Sequence, residues 1–220
     1  MLRPGKDKGL ATPIPLGLAG LATSTFVMGA AMFVRSPDTL GPYLTQALMF
    51  GCVVEILAGM WAFAYGDPIA ATSFTFLGAF FGWWALSQMT VLGVHAASAA
   101  AVRSMALVFL VSGVVIFYLW VASFYEFAAF NLALLFFWIC CALAGIGMFA
   151  GSQVTIGLGG ISAICSALIS AYASFAEAYN AASLQDLVPV GESKAVRQRI
   201  EQDENQRILR LHANEPHIAA

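Results

Sequence analysis

Charge is scarce in this chain. Asp, Glu, Lys and Arg make up only 10% of its 220 residues, against 60% hydrophobic residues. A soluble domain carries about 25% charged residues, so much of this protein's surface does not face water. Basic residues are almost absent from the middle: between Lys8 and Lys194 there are only Arg35 and Arg103. A net charge of −2 and no basic stripe exclude a nucleic-acid partner. Histidine is confined to His95, His212 and His217, which leaves none for haem or zinc within an apolar run. There is no H-E-x-x-H, no G-x-S-x-G and no C-x-x-C. The sequence therefore asks for no catalytic residue, no metal and no cofactor. Cys52, Cys140, Cys141 and Cys165 lie in apolar runs and read as small packing residues. The first apolar run is long and lacks a small-x-small cleavage site, so no removable leader is expected.

What is present is a series of long apolar runs. About 20 residues of helix cross the roughly 30 Å hydrocarbon core. Six runs reach that length: Ile14–Val34, Tyr43–Tyr65, Ile69–Val91, Ser104–Phe124, Phe127–Phe149 and Val154–Ala176. Turn or charge signals separate them, at Arg35-Ser36-Pro37-Asp38, Gly66-Asp67-Pro68, Gly93 to Arg103, Glu126 and Gly151-Ser152-Gln153. Backbone groups in lipid must bond within their own segment, which selects helices. The expected fold is an all-α polytopic membrane protein with six transmembrane helices. Three Lys/Arg precede the first span and five follow the last, with two on the other side. The positive-inside rule then puts both termini in the cytoplasm. The expected division is a cytoplasmic segment over 1–12, a membrane domain over 13–178 and a tail over 179–220, with a charged helix from Lys194 to Leu211.

Polar groups inside a span are costly and invite a functional reading. Glu55, midway along the second span, is either a protonatable or field-shaping group on a transport path or an acid at a helix–helix contact. Thr72, Ser73 and Thr75 on the third span either bind a carboxylate or bond back to their own helix. Thr12 precedes Pro13-Ile14-Pro15 at the start of the first helix, where N–H groups and the helix dipole attract anions. Glycine pairs such as Gly17 with Gly20 and Gly78 with Gly82 allow close helix approach.

Three blocks then carry a family resemblance. They are Thr12-Pro13-Ile14-Pro15-Leu16-Gly17-Leu18, then Ala58-Gly59-Met60-Trp61 through Gly66-Asp67 to Ala71-Thr72-Ser73-Phe74-Thr75, then Glu177, Asn180 and Val188-Pro189-Val190-Gly191-Glu192. In order and spacing they resemble the N-P-A-P-L-G-L, A-G-x-W-E with G-N-T-F-G-A-T-A-F-T-S-Y-G, and E-x-x-N with L-P-x-G-E blocks of the acetate uptake transporters of the succinate–acetate permease type. The resemblance implies a homohexamer with a pore for acetate-like carboxylates in each protomer, acting as a channel or with protons. It places the pore constriction at Leu21, Leu77 and Phe137. It implies a multi-pass cell-membrane protein, and the short stretch before the first span favours a bacterial inner membrane. This chain departs from the pattern: Thr12 stands for Asn, Ala62 for Glu, and Leu21 and Leu77 for two aromatics. An acid appears at Glu55, seven residues before Ala62 and close to the same helix face. The expected function is transport of acetate and related monocarboxylates, with succinate as a further candidate. The alternatives are a channel for another small solute or anion, or a sensor signalling through the tail.

Overall fold

The structure, a computed structural model, describes residues 10–34, 37–93, 98–183, 187–191 and Gln206. The expected tail helix, apart from Gln206, and His95 and Arg35 lie outside the described residues. Six helices are long and apolar enough to cross a membrane: Ile14–Ala31, Leu40–Tyr65, Pro68–Thr90, Ala99–Tyr125, Ala128–Ala150 and Gln153–Ser183. We label the helical elements α1 (Ile14–Ala31), α2 (Pro37–Gln46), α3 (Glu55–Tyr65), α4 (Pro68–Gly93), α5 (Ala99–Ala122), α6 (Ala128–Ala150) and α7 (Gln153–Ser183).

Three of the spans differ clearly from the sequence expectation, the sixth by running on to Ser183 rather than ending at Ala176. The second is not one regular helix: α2 passes into a π-helical stretch, Ala47–Val54, before α3 begins at Glu55. Pro42 inside α2 removes a backbone donor, and a π turn is a common device near functional residues. The fourth span begins earlier than expected, because Ser98 caps the helix by accepting from the Ala101 N–H at 3.1 Å. Arg103 therefore lies within the first two turns of α5, exposed, rather than outside the helix.

Local chemistry sets the turns. Gly66 (φ 90°) ends α3 and Gly151 (φ 65°) ends α6, both in the left-handed conformation that costs glycine nothing. Asp67 caps α4 by accepting the Ala70 N–H at 2.9 Å. Burial pushes the Asp67 carboxyl above its usual value, against backbone N–H groups of Ala70 and Ile69 that pull it down. The folded state thus holds this proton more tightly than the unfolded chain. Its contribution to stability falls as pH rises through that range. Asp67→Asn keeps the capping oxygen and should remove this fall, which thermal unfolding at several pH values in detergent will read.

The helices form a closed ring in chain order. The second span packs on α1 and α4, α5 on α6, α6 on α7, and α7 returns to α1. The centre is filled from α1, α4 and α6 by Leu18, Leu21, Phe74, Leu77, Phe81 and Phe137, all 0% exposed. The outer surface carries Leu57, Val114, Leu168 and Phe175, each more than half exposed, as lipid or a neighbouring subunit requires.

The chain after α7 is folded back onto the bundle. Asn180 donates to the Val188 carbonyl at 2.8 Å and accepts from the Leu187 and Val188 N–H groups at 2.9 and 2.8 Å. The Tyr172 hydroxyl donates to the Pro189 carbonyl at 2.6 Å. The Gly191 and Val190 carbonyls accept the first free N–H groups of α6, from Ala128 at 2.6 Å and Ala129 at 3.1 Å. This strap explains why Asn180 and Val188 to Gly191 belong to one sequence block. Asn180→Ala leaves three backbone groups unpaired and should cost about 1–3 kcal/mol, read as a lower melting temperature.

Candidate functional site: a tiered core between the first, third and fifth spans

Ring contacts set the register of the core. Phe74 on α4 meets Phe130 on α6 at 5.8 Å, and Phe81 stacks on Phe137 at 5.5 Å. Both pairs are 56 positions apart in the chain, so α4 and α6 run parallel and level. The two pairs make tiers separated by two helical turns, roughly 10 Å. Leu77 lies one turn from each. By the same offset its neighbours on α6 are Ala133 and Leu134, both 0% exposed.

α1 joins each tier. A Cβ on Gly17 would meet three ring carbons of Phe74 at 2.5–2.7 Å, so the first tier holds Gly17, Phe74 and Phe130. A Cβ on Gly51 would meet Ser24 Oγ at 2.6 Å and Phe81 Cβ at 2.8 Å, so the third tier holds Ser24, Phe81 and Phe137. Leu21 falls between, level with Leu77. Glu55 enters this middle tier: its Cγ lies 2.8 Å from the point where a Gly20 Cβ would stand, and its neighbour Ile56 packs against Gly78. Leu21, Leu77 and Glu55 thus share one level. Phe137 sits one turn further along, stacked on Phe81 and edge-on to Phe80. Phe137 was expected in a constriction with Leu21 and Leu77; the register puts Ala133 and Leu134 level with them and Phe137 one turn further along, in ring contact with Phe80 and Phe81.

The polar groups are unusual. Both Glu55 oxygens, Ser24 Oγ, Ser73 Oγ and Ser170 Oγ are fully buried and have no hydrogen-bond partner among the described residues. An unpartnered buried hydroxyl costs about 1–3 kcal/mol, and a buried charge several. The three hydroxyls expected on the third span separate. Ser73 is buried one turn from Leu77 on the same face. Thr72 is exposed and donates to the Pro68 carbonyl at 2.8 Å. Thr75 points into the α3 seam, where its Oγ1 lies against Gly59. At 100° per residue, positions 72, 73 and 75 spread over about 160° of the helix and cannot all face one axis. Thr12 accepts the Ile14 N–H at 3.4 Å and lies just outside α1, beside the Ala11 carbonyl that takes the Trp61 indole N–H at 3.0 Å.

Sequence reasoning did not single out Ser24 as the third-tier hydroxyl, or Phe74, Phe81, Phe130 and Ser170. The aromatic pairs had a legible signal, since Phe74 and Phe81 stand seven apart on α4 as Phe130 and Phe137 do on α6. Ser170 has a signal too, a four-residue serine spacing on the last span.

A bundle of this kind has known counterparts. The model of the GPR1/FUN34/yaaH family matches residues 1–190. The chain belongs to this family. It is similar to acetate permease A of Emericella nidulans, 39% identical over 72 residues, which are 32% of this chain and 24% of that protein. It is 30% identical over 93 residues to a glyoxylate pathway regulator of Yarrowia lipolytica, covering 41% of this chain and 34% of that one. These two matches span about a quarter and about a third of the fungal proteins' length. The match to the succinate-acetate/proton symporter SatP of Escherichia coli K12 is fuller, 29% identical over 84% of this chain and 97% of the symporter. The solved bacterial acetate channel SatP superposes with a TM-score of 0.75 at 21% identity, over 83% of this chain and 99% of the channel. The six-span family fold therefore has the same architecture as a known channel structure.

Proposed function

We propose that this protein carries acetate and related short-chain monocarboxylates, with succinate as a further candidate, through a path in each protomer. The observation that carries the reading is the tiered core of a family member: an apolar interior with a buried acid in its middle tier, unpartnered hydroxyls near it and no fixed cation among the described core residues. Hydroxyl donors bind a carboxylate without holding it, which suits flux. Leu21 and Leu77 form the apolar gate with Phe137 as a second closure. Ser73 is the hydroxyl of the third span best placed to serve it, and Thr12 sits at the mouth. Glu55 in the middle tier favours proton coupling over passive flow. The fungal and bacterial relatives named for acetate or succinate–acetate transport support the substrate class.

The same reading places the protein in a bacterial inner membrane with both termini in the cytoplasm, assembled as a homohexamer. It assigns no enzyme activity. Uptake of labelled acetate into proteoliposomes, with and without an inward proton gradient, tests it. Saturable uptake above empty liposomes, competed by unlabelled short acids, is the expected result, with a rate that rises with the gradient. No uptake by folded protein would overturn it in favour of a different solute or a sensor.

A further inference from the structure

The last span carries serines at every fourth position, Ser162, Ser166, Ser170 and Ser174. Three of them are bonded. Ser162 donates to the Phe136 carbonyl at 2.6 Å and Ser166 to the Ala133 carbonyl at 2.8 Å, both on α6. Ser174 donates to the Pro15 carbonyl at 2.7 Å, on α1. Four residues turn an α-helix by about 400°, so each rung is rotated about 40° from the last. Between Ser166 and Ser174 the row swings from α6 to α1. Ser170 stands between those two directions and aims into the wedge that separates the helices. It is 0% exposed, and its hydroxyl has no hydrogen-bond partner among the described residues.

The level of that wedge follows from the same bonds. On α6, the pairings of Ser162 with Phe136 and Ser166 with Ala133 step next to Ala129 and Phe130. On α1, the Ser174–Pro15 bond and the Gly160–Gly29 contact run antiparallel and put Ser170 opposite Leu18 and Ala19. Both lines meet at the first tier, where Phe74 lies between Gly17 and Phe130. We propose that Ser170 is a substrate-binding residue whose hydroxyl donates to the carboxylate of a short monocarboxylate held at the first tier, one turn before the Leu21–Leu77 gate. The assignment rests on the permease reading above. The row's other hydroxyls are committed to neighbouring carbonyls, which leaves Ser170 as the rung of α7 free to serve the passing anion.

Half-saturation for acetate uptake by proteoliposomes tests this. A hydroxyl bonded to a charged partner contributes enough that Ser170→Ala should raise the half-saturation concentration about tenfold. Maximal flux should hold. The melting temperature should stay level or rise, because an unpartnered buried hydroxyl has been removed. Ser166→Ala, whose hydroxyl is used on the Ala133 carbonyl, should lower the melting temperature and leave half-saturation alone. Ser170→Cys keeps the size with a weak donor and should weaken binding in the same direction, so the test survives a poorly folding alanine variant. Saturable wild-type uptake with unchanged half-saturation in both Ser170 variants would overturn the assignment alone. Absence of saturable uptake by the wild type would overturn the permease reading and this assignment with it.

Discussion

Acetate uptake by the Glu55→Gln protein will lose most of the pH dependence that the wild type shows. Glu55 is 0% exposed, its oxygens have no hydrogen-bond partner among the described residues, and it shares a tier with Leu21 and Leu77. On the permease reading proposed above, an ionised Glu55 places a negative charge beside an anion passing that tier. At ~6 Å and an effective dielectric of ~20 the repulsion is about 3 kcal/mol. That corresponds to roughly a hundredfold in the local population of anion. A protonated Glu55 exerts no such repulsion, and neither does glutamine. Wild-type flux per acetate anion should therefore fall as pH rises, while the variant's stays level and exceeds it at the alkaline end. Dividing each rate by the anion concentration removes the titration of acetate itself. A wild type and variant whose profiles superimpose at every pH where both stay folded would sink the role given to Glu55.

The second large effect is structural. Replacing Gly29 by valine should separate α1 from α7 and leave little folded protein. A Cβ at Gly29 would lie 2.7 Å from the Gly160 carbonyl oxygen and 2.9 Å from Ile164 Cγ1, and a Cβ at Gly160 would lie 3.0 Å from the Gly29 carbonyl oxygen. Two backbones meet here, so no flexible side chain can give way. Overpacking of a well-filled core costs about 1–3 kcal/mol, and valine adds further atoms to a contact that already rejects one. Small residues of this kind drive helix association in lipid, where no hydrophobic force separates helix from solvent. Because α7 closes the ring on α1, the loss spreads to Ser174, Ser170 and the first tier. The readout is the yield of monodisperse protein and its melting temperature. By contrast Gly41, with no atom within 4 Å of its Cβ position, should accept alanine without effect. Equal behaviour of the two variants would refute the close-packing account.

Much of the site was legible before the fold was. Glu55 stood out as the one acid inside a span, and the structure buries it against Gly20 of α1, on the same buried face as Ala62 seven residues on. Leu21 and Leu77 were reached through the family motifs, and the structure brings them to one level. The hydroxyl block on the third span was readable as a group but not as directions. Thr72 spends its proton on its own helix, an outcome that depends on which face is turned to lipid. Asn180 was marked by its motif, yet its role as a strap anchor needs the chain beyond it to return to α6.

The lengths of the apolar runs, and the breaks between them, determined by themselves that this chain crosses a membrane six times, because lipid tolerates only segments that satisfy their own backbone bonds. Only the tertiary structure decided that the ring closes through α7 on α1, that Phe137 stacks on Phe81, and that Ser170 is left free while its neighbours are bonded. The physical reason is that span formation is local, governed by a residue's own cost of transfer into lipid. Register and rotation are set by contacts between helices far apart in sequence, where a single glycine or a four-residue serine row decides which side chain meets which.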